Sequence, residues 1–191
     1  MTHYGNPAVD QWVAVDHCHA ALPFALVLSQ KPQDLLEIGM GSGKSADAIL
    51  EALEFNGRHR SYTLVDNWCD FGGQMPAAVH EKYQGRIALV TADEESFVAT
   101  CGERYDFIFS DGDHTRADQW FDRVYDRLLR ENGILAYHDV ANSSFPNLAR
   151  IRQACIRRGL AHRLFDASSR PDERCERGLL VIFESESSTG I

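Results

Sequence analysis

Short apolar runs alternate along the chain with longer stretches whose apolar positions recur at helical spacing. The runs at 33–38, 61–65, 86–91, 105–110 and 134–137 predict five strands. Between them, 45–55 places Ala46, Ile49, Leu50 and Leu53 on one helical stripe and stops at Asn56-Gly57. Residues 94–101 form a short helical pattern, and 115–130 puts Trp120, Phe121, Val124, Leu128 and Leu129 on one face before Asn132-Gly133. The segment 67–84, with Gly72-Gly73 and Pro76, predicts a loop leading into a helix. Residues 10–29 read as helix interrupted at Pro23, and Pro146 opens a helix to Arg158 with Gly159 past its end. The last runs, 160–165 and 178–183, have no helical pattern between them, which predicts an antiparallel hairpin at the sheet edge. This order predicts an α/β fold with a doubly wound, mostly parallel seven-stranded sheet. It reads as one domain over 1–191, with 1–30 as a helical cap and 185–191 as a disordered tail.

In such sheets ligands bind beyond the carboxyl ends of the strands. The polar residues that stand out fall there: Glu37 before a run of glycines, then Asp66, Asp93, Asp111 and His138-Asp139. The first strand runs into Gly39-Met40-Gly41-Ser42-Gly43, a tight turn before a helix, which offers unpaired N–H groups to a nucleotide-like ligand.

A formal charge of −9 argues against a nucleic-acid partner, whose phosphates need clustered Lys and Arg. The one basic cluster, Arg150, Arg152, Arg157 and Arg158, reads as a solvated helix face. The five scattered cysteines never form a Cys-x-x-Cys pair, which predicts reduced packing residues. No apolar run is long enough to span a bilayer and the first ten residues are polar, so a cytoplasmic location is the expectation.

Three ligands compete for the glycine turn. Gly43-Lys44-Ser45 ends like a P-loop, but the glycine that motif needs five positions earlier is Ile38, and Glu37 sets a carboxylate against a triphosphate. A dinucleotide fingerprint would need its third glycine where Lys44 stands. S-adenosylmethionine carries a sulfonium and an amino group and no phosphate, so its site wants carboxylates. Asp66 can accept the ribose hydroxyls, with Asn67 beside it, Asp93 can face the adenine amino group, and Glu37 can help hold the methionine end.

On Glu37 to Gly43, Val65-Asp66 and Ala92-Asp93, the chain resembles the class I S-adenosylmethionine-dependent methyltransferases, which implies a Rossmann-like sheet. Asp106 to His114 and Gly133 to Val140 resemble the small-molecule O-methyltransferase branch, both catechol-type and macrolide-sugar-type. That branch implies a divalent cation, Mg²⁺ or Mn²⁺, at Asp111 and His138-Asp139, although His138 departs from the acidic residue usual there. A mixed Asp/His set suits Mn²⁺, Fe²⁺ or Zn²⁺ better than Mg²⁺. It also implies catalytic roles for Asp111 and for His114, which stands where the sugar-methylating members keep a general base. Asp113-His114 can equally cap the following helix. The acceptor pocket is expected above the sheet, between the N-terminal helix, 67–84 and 142–147, with Trp12, Trp68, Phe71 and Phe145 as candidate stacking rings. The resemblance further implies a small-molecule acceptor and a homodimer, and the lack of a long apolar run predicts no membrane partner. N-methylation, a P-loop-like phosphotransferase and a non-catalytic cofactor-binding module stay open as alternatives.

Overall fold

The computed structural model describes residues 17–41, 43–57, 59–165 and 177–184. The predicted tail at 185–191 and residues 1–16 of the predicted cap, Trp12 among them, lie outside the described residues. In order the elements are α1 (His17–Gln30), β1 (Asp34–Ile38), α2 (Lys44–Asn56), β2 (Ser61–Asp66), α3 (Ala77–Tyr83), β3 (Ala88–Thr91) and α4 (Glu94–Thr100). There follow β4 (Tyr105–Ser110), α5 (Ala117–Arg123), β5 (Leu129–Tyr137), α6 (Pro146–Arg158), β6 (Ala161–Phe165) and β7 (Leu179–Phe183).

The seven strands form one sheet in the order β3-β2-β1-β4-β5-β7-β6. The first five run parallel, and β7 pairs antiparallel with both β5 and β6. The late strands are therefore a hairpin, with β7 wedged inward and β6 at the edge. Because β7 is antiparallel, it begins at the end of the sheet where the parallel strands finish.

Strand periodicity divides the core in two. Leu35, Leu64, Phe107, Phe109 and Val181 face α1, α2 and α3. Leu36, Ile38, Ile108, Leu135 and Ile182 face α4, α5 and α6. With both faces covered, β1 is buried along its whole length, including its two acids, Asp34 and Glu37.

Two expectations change. Pro23 lies inside α1 without ending it, because Ala20 and Val27 bury against α2 and outweigh one missing backbone hydrogen bond. The helix expected over 115–130 stops early. α5 ends at Arg123, the backbone widens into a π turn over Val124–Leu128, and β5 begins at Leu129 beside Tyr105. Asn132 (φ 62°) and Gly133 form a bulge inside that strand, not a helix cap. A Cβ on Gly133 would meet the Arg130 carbonyl at 2.8 Å, so the tight bulge needs glycine. Among the described residues no helix is long and apolar enough to cross a membrane.

Candidate active site

The carboxyl ends of β1 to β5 and the start of β7 border one cleft with a volume of about 660 Å³. Its floor is the glycine turn. Gly39 (φ 82°) donates to the Val65 carbonyl at 2.8 Å, and a Cβ there would sit 2.4 Å from the Asp111 carbonyl oxygen. The turn therefore holds β1, β2 and β4 together as well as facing a ligand. Gly41 lines the cleft, whereas Gly43 lies behind it, receiving α2 as its N-cap and donating to the Met40 carbonyl at 2.9 Å.

Asp66 ends β2 with one oxygen on the Met40 amide (2.7 Å) and the other on the Trp68 amide (2.6 Å). Burial raises its pKa against the pull of those two amides. Both oxygens keep lone pairs for a ligand in the cleft. Asn67 lines the cleft, and its side-chain oxygen accepts from the Cys69 amide at 2.9 Å. Asp93 N-caps α4 by accepting from the Ser96 amide at 2.9 Å, a bond that holds its pKa below the ordinary carboxylate value.

Glu37 is not in the cleft. The pleat turns it to the α2 side of the sheet, where it is fully buried and accepts from Ser45 Oγ and the Tyr62 hydroxyl. Burial pushes its pKa up to about 8 despite those bonds, so it supports the glycine turn from below as a largely neutral acid.

A residue the motif reading passed over does line the cleft. Glu94 accepts from the Asp113 amide (2.8 Å) and from Trp120 Nε1 (2.6 Å), tying the start of α4 to the loop after β4. The only sequence signal was an acid directly following Asp93, and an acid there equally suits a helix first turn.

At the other end of the cleft, β4 and β5 bring Asp111, His114, His138 and Asp139 together, with one ligand atom from each within 4.8 Å of the others. His138 Nδ1 lies 3.0 Å from Asp111 Oδ1. His114 Nδ1 lies 2.6 Å from the Gly112 carbonyl, and since a carbonyl only accepts, that nitrogen carries a hydrogen. His114 Nε2 then points at Asp111 (3.2 Å) and Asp139 (3.0 Å). Burial alone would lower the pKa of His114, but the two carboxylates win and raise it to about 10. His138 is raised for the same reason against burial, chiefly by Asp111. Burial would raise Asp111, yet the His138 and His114 imidazoles hold it well below the ordinary carboxylate range. Asp139 has φ 60°, uncommon outside glycine, and its buried Oδ1 accepts no hydrogen bond.

Neither Asp113 nor His114 caps α5, whose N-cap is Arg116 with no side-chain bond to the helix amides. Asp113 closes the turn before α5, accepting from the Thr115 amide at 2.9 Å, while His114 points into the cluster. Phe145 lines the cleft and packs on His114 with ring centroids 4.7 Å apart. Trp68 does not present a stacking face: it is fully buried, and its Nε1 donates to Thr91 Oγ1 at 3.0 Å. Phe71 packs on that buried indole at 6.4 Å.

The family described as "Methyltransferase domain" matches residues 36–140, from β1 to just past Asp139. Comparison with curated protein sequences gives no match. Among solved structures, the S-adenosylhomocysteine-bound methyltransferase PaMTH1 of Podospora anserina is similar with TM-score 0.72 at 18% identity, over 93% of this chain and 82% of that one. An O-methyltransferase from Bacillus cereus, also with S-adenosylhomocysteine, gives TM-score 0.69 at 15% identity, over 90% and 83%. The O-methyltransferase TomG of Streptomyces achromogenes, in complex with S-adenosylmethionine, gives 0.70 at 14%, over 91% and 82%. At these identities the likeness is one of fold.

Proposed function

We propose that this chain, which belongs to the class I S-adenosylmethionine-dependent methyltransferases, moves the methyl group to a hydroxyl of a small molecule with a divalent cation held at Asp111, His138 and Asp139. The observation that carries the reading is the four-residue cluster at one end of a cleft whose other parts are lined by the glycine turn, Asp66 and Asp93. Two neighbours of the same fold are described as O-methyltransferases, which supports a hydroxyl acceptor.

The residues fit a cation. Two carboxylates and two imidazoles converge, and the buried Asp139 Oδ1 has no hydrogen-bond partner. A mixed oxygen and nitrogen set favours Mn²⁺, Fe²⁺ or Zn²⁺ over Mg²⁺. When bound, a cation would neutralise the carboxylates that keep His114 charged and lower the pKa of the acceptor hydroxyl.

The chain's own residues do the rest. Asp66 accepts from the ribose hydroxyls, Asp93 faces the adenine amino group, and Met40 and Gly41 bring backbone close to the methionine end. The acidic cleft suits the positive sulfonium and amino groups of the cofactor. Methyl transfer forms a C–O bond as the C–S bond breaks, S-adenosylhomocysteine leaves, and the hydroxyl proton goes to a base. His114 Nε2 is that base in its neutral form, since Nδ1 is held by the Gly112 carbonyl.

Calorimetric titration with S-adenosylhomocysteine, and turnover measured with Mn²⁺ or with EDTA, test the two halves. The expected result is cofactor binding in both conditions and turnover only with the metal. Turnover undiminished in EDTA refutes the metal half, and failure to bind S-adenosylhomocysteine refutes the cofactor half.

A further inference from the structure

The loop that carries Asp111 and His114 is anchored on both sides of one peptide unit. Before it, the Asp111 amide donates to the Ile38 carbonyl at 2.8 Å. After it, the Asp113 carbonyl accepts from the Arg116 and Ala117 amides at 3.2 and 3.0 Å. The peptide between Gly112 and Asp113 has its own two partners. Its N–H donates to Glu94 Oε2 at 2.8 Å, and its carbonyl accepts from His114 Nδ1 at 2.6 Å. The N–H and C=O of a trans peptide point in opposite directions, so a group that holds one of them aims the other.

Glu94 is itself held firmly. It lies buried in the first turn of α4, and its other oxygen accepts from Trp120 Nε1 at 2.6 Å, so both ends of the carboxylate are fixed. A Cβ on Gly112 would lie 2.7 Å from Glu94 Oε2, so the close approach of carboxylate and loop needs glycine there. On the far side of the peptide, the Nδ1 bond sets how His114 presents Nε2. To take a proton from a hydroxyl, Nε2 has to turn from Asp111 and Asp139, which lie at 3.2 and 3.0 Å. The Gly112 carbonyl and the packed ring of Phe145 then keep the imidazole in place. Nδ1 carries its hydrogen in the charged ring and in the neutral ring alike, so this link persists through the proton transfer.

We propose that Glu94 is a positioning residue for methyl transfer: through the Gly112–Asp113 peptide it aims the carbonyl that holds His114 with Nε2 towards the acceptor. This rests on the reading of His114 as the base of a methyltransferase site. Carboxylate, peptide and imidazole stand in series, and the carboxylate acts on the ring by way of the peptide.

The test follows the His114 Nδ1–H proton by nuclear magnetic resonance, on the full chain carrying ¹⁵N-histidine and loaded with S-adenosylhomocysteine. The signal is assigned by its loss in His114→Gln. The expected result is a protected signal in the unmodified chain, whose exchange with solvent is about tenfold or more faster in Glu94→Ala. Glu94→Asp keeps an acid in the first turn of α4 but withdraws the carboxylate by one methylene, and speeds exchange by about threefold or more. If Glu94→Ala does not fold, Glu94→Asp decides. Val98→Ala is the control for plain loss of packing, because Val98 is buried in the same helix and does not touch the carboxylate's partners. Its exchange stays within about twofold of the unmodified chain. No protected signal in the unmodified chain, unchanged exchange in the Glu94 variants, or equal acceleration by Val98→Ala overturns the inference. Failure of the unmodified chain to bind S-adenosylhomocysteine instead overturns the methyltransferase reading on which it rests.

Discussion

Replacing Gly39 by alanine separates two effects that the glycine turn combines. The first is conformational: at φ 82° an L-residue is strained, by about 1 kcal/mol or somewhat more. The second is spatial: the new Cβ would lie 2.4 Å from the Asp111 carbonyl oxygen and 2.7 Å from Gly112 Cα. Both contacts are backbone, so relief requires β1 and β4 to part at the site, a rearrangement that overpacking data put at about 1–3 kcal/mol. Gly57 supplies the control, since its φ is 72° and a Cβ there meets nothing within 4 Å. Urea unfolding should show Gly57→Ala destabilised by about 1 kcal/mol and Gly39→Ala by about 2–4 kcal/mol. The same displacement moves Asp111 and the Met40 amide, so S-adenosylhomocysteine affinity should fall by about tenfold or more in Gly39→Ala alone. Equal destabilisation of the two variants, with cofactor affinity retained in both, would refute the claim that the turn is closed by contact with β4.

Glu37 makes stability depend on pH. Its folded pKa of about 8 exceeds the ordinary 4.5, so between those values the folded protein holds a proton the unfolded chain has released. Stability should therefore fall as pH rises from about 4.5 towards 8, by a few kcal/mol in all. Glu37→Gln, which can keep the Ser45 and Tyr62 bonds, should flatten that slope in urea midpoints taken at about pH 5 and about pH 8.5, and an unchanged slope would place the titration elsewhere. Asp139→Asn removes a charged ligand and should weaken Mn²⁺ binding, followed by electron paramagnetic resonance, by about tenfold or more; unaltered affinity would move the cation away from the cluster. Asp66→Asn should weaken S-adenosylhomocysteine by about tenfold in calorimetry, because a charged acceptor becomes a neutral one.

Much of this molecule was legible because its signals are local. Helix α2 begins just after Gly43 and ends before Gly57, and α6 begins at Pro146 and ends before Gly159, where residues with fixed or permissive dihedrals mark the boundaries. The acids at strand ends were legible because a parallel sheet sends every carboxyl end to one side. The end of α5 was not, because Leu128 and Leu129 fit a helical stripe as well as a turn and a strand. Only pairing of Leu129 with Tyr105 across the bulge decided between them.

The sequence by itself determined the glycine turn, the parallel sense of the first five strands and the set of polar residues at their ends. It could not determine which way those residues face. Glu37 and Asp66 look equivalent in the chain, yet the pleat of β1 sends one into the core and the turn after β2 opens the other to the cleft. His114 and Asp113 both suit a helix start, yet the helix begins after Arg116, and packing gave the preceding turn to Asp113 and the cluster to His114. Arg177, which lines the cleft with its Nε 3.9 Å from Asp139 Oδ1, carries no motif at all. It reaches the site because β7 runs antiparallel beside β5, a contact between distant segments that no local pattern encodes.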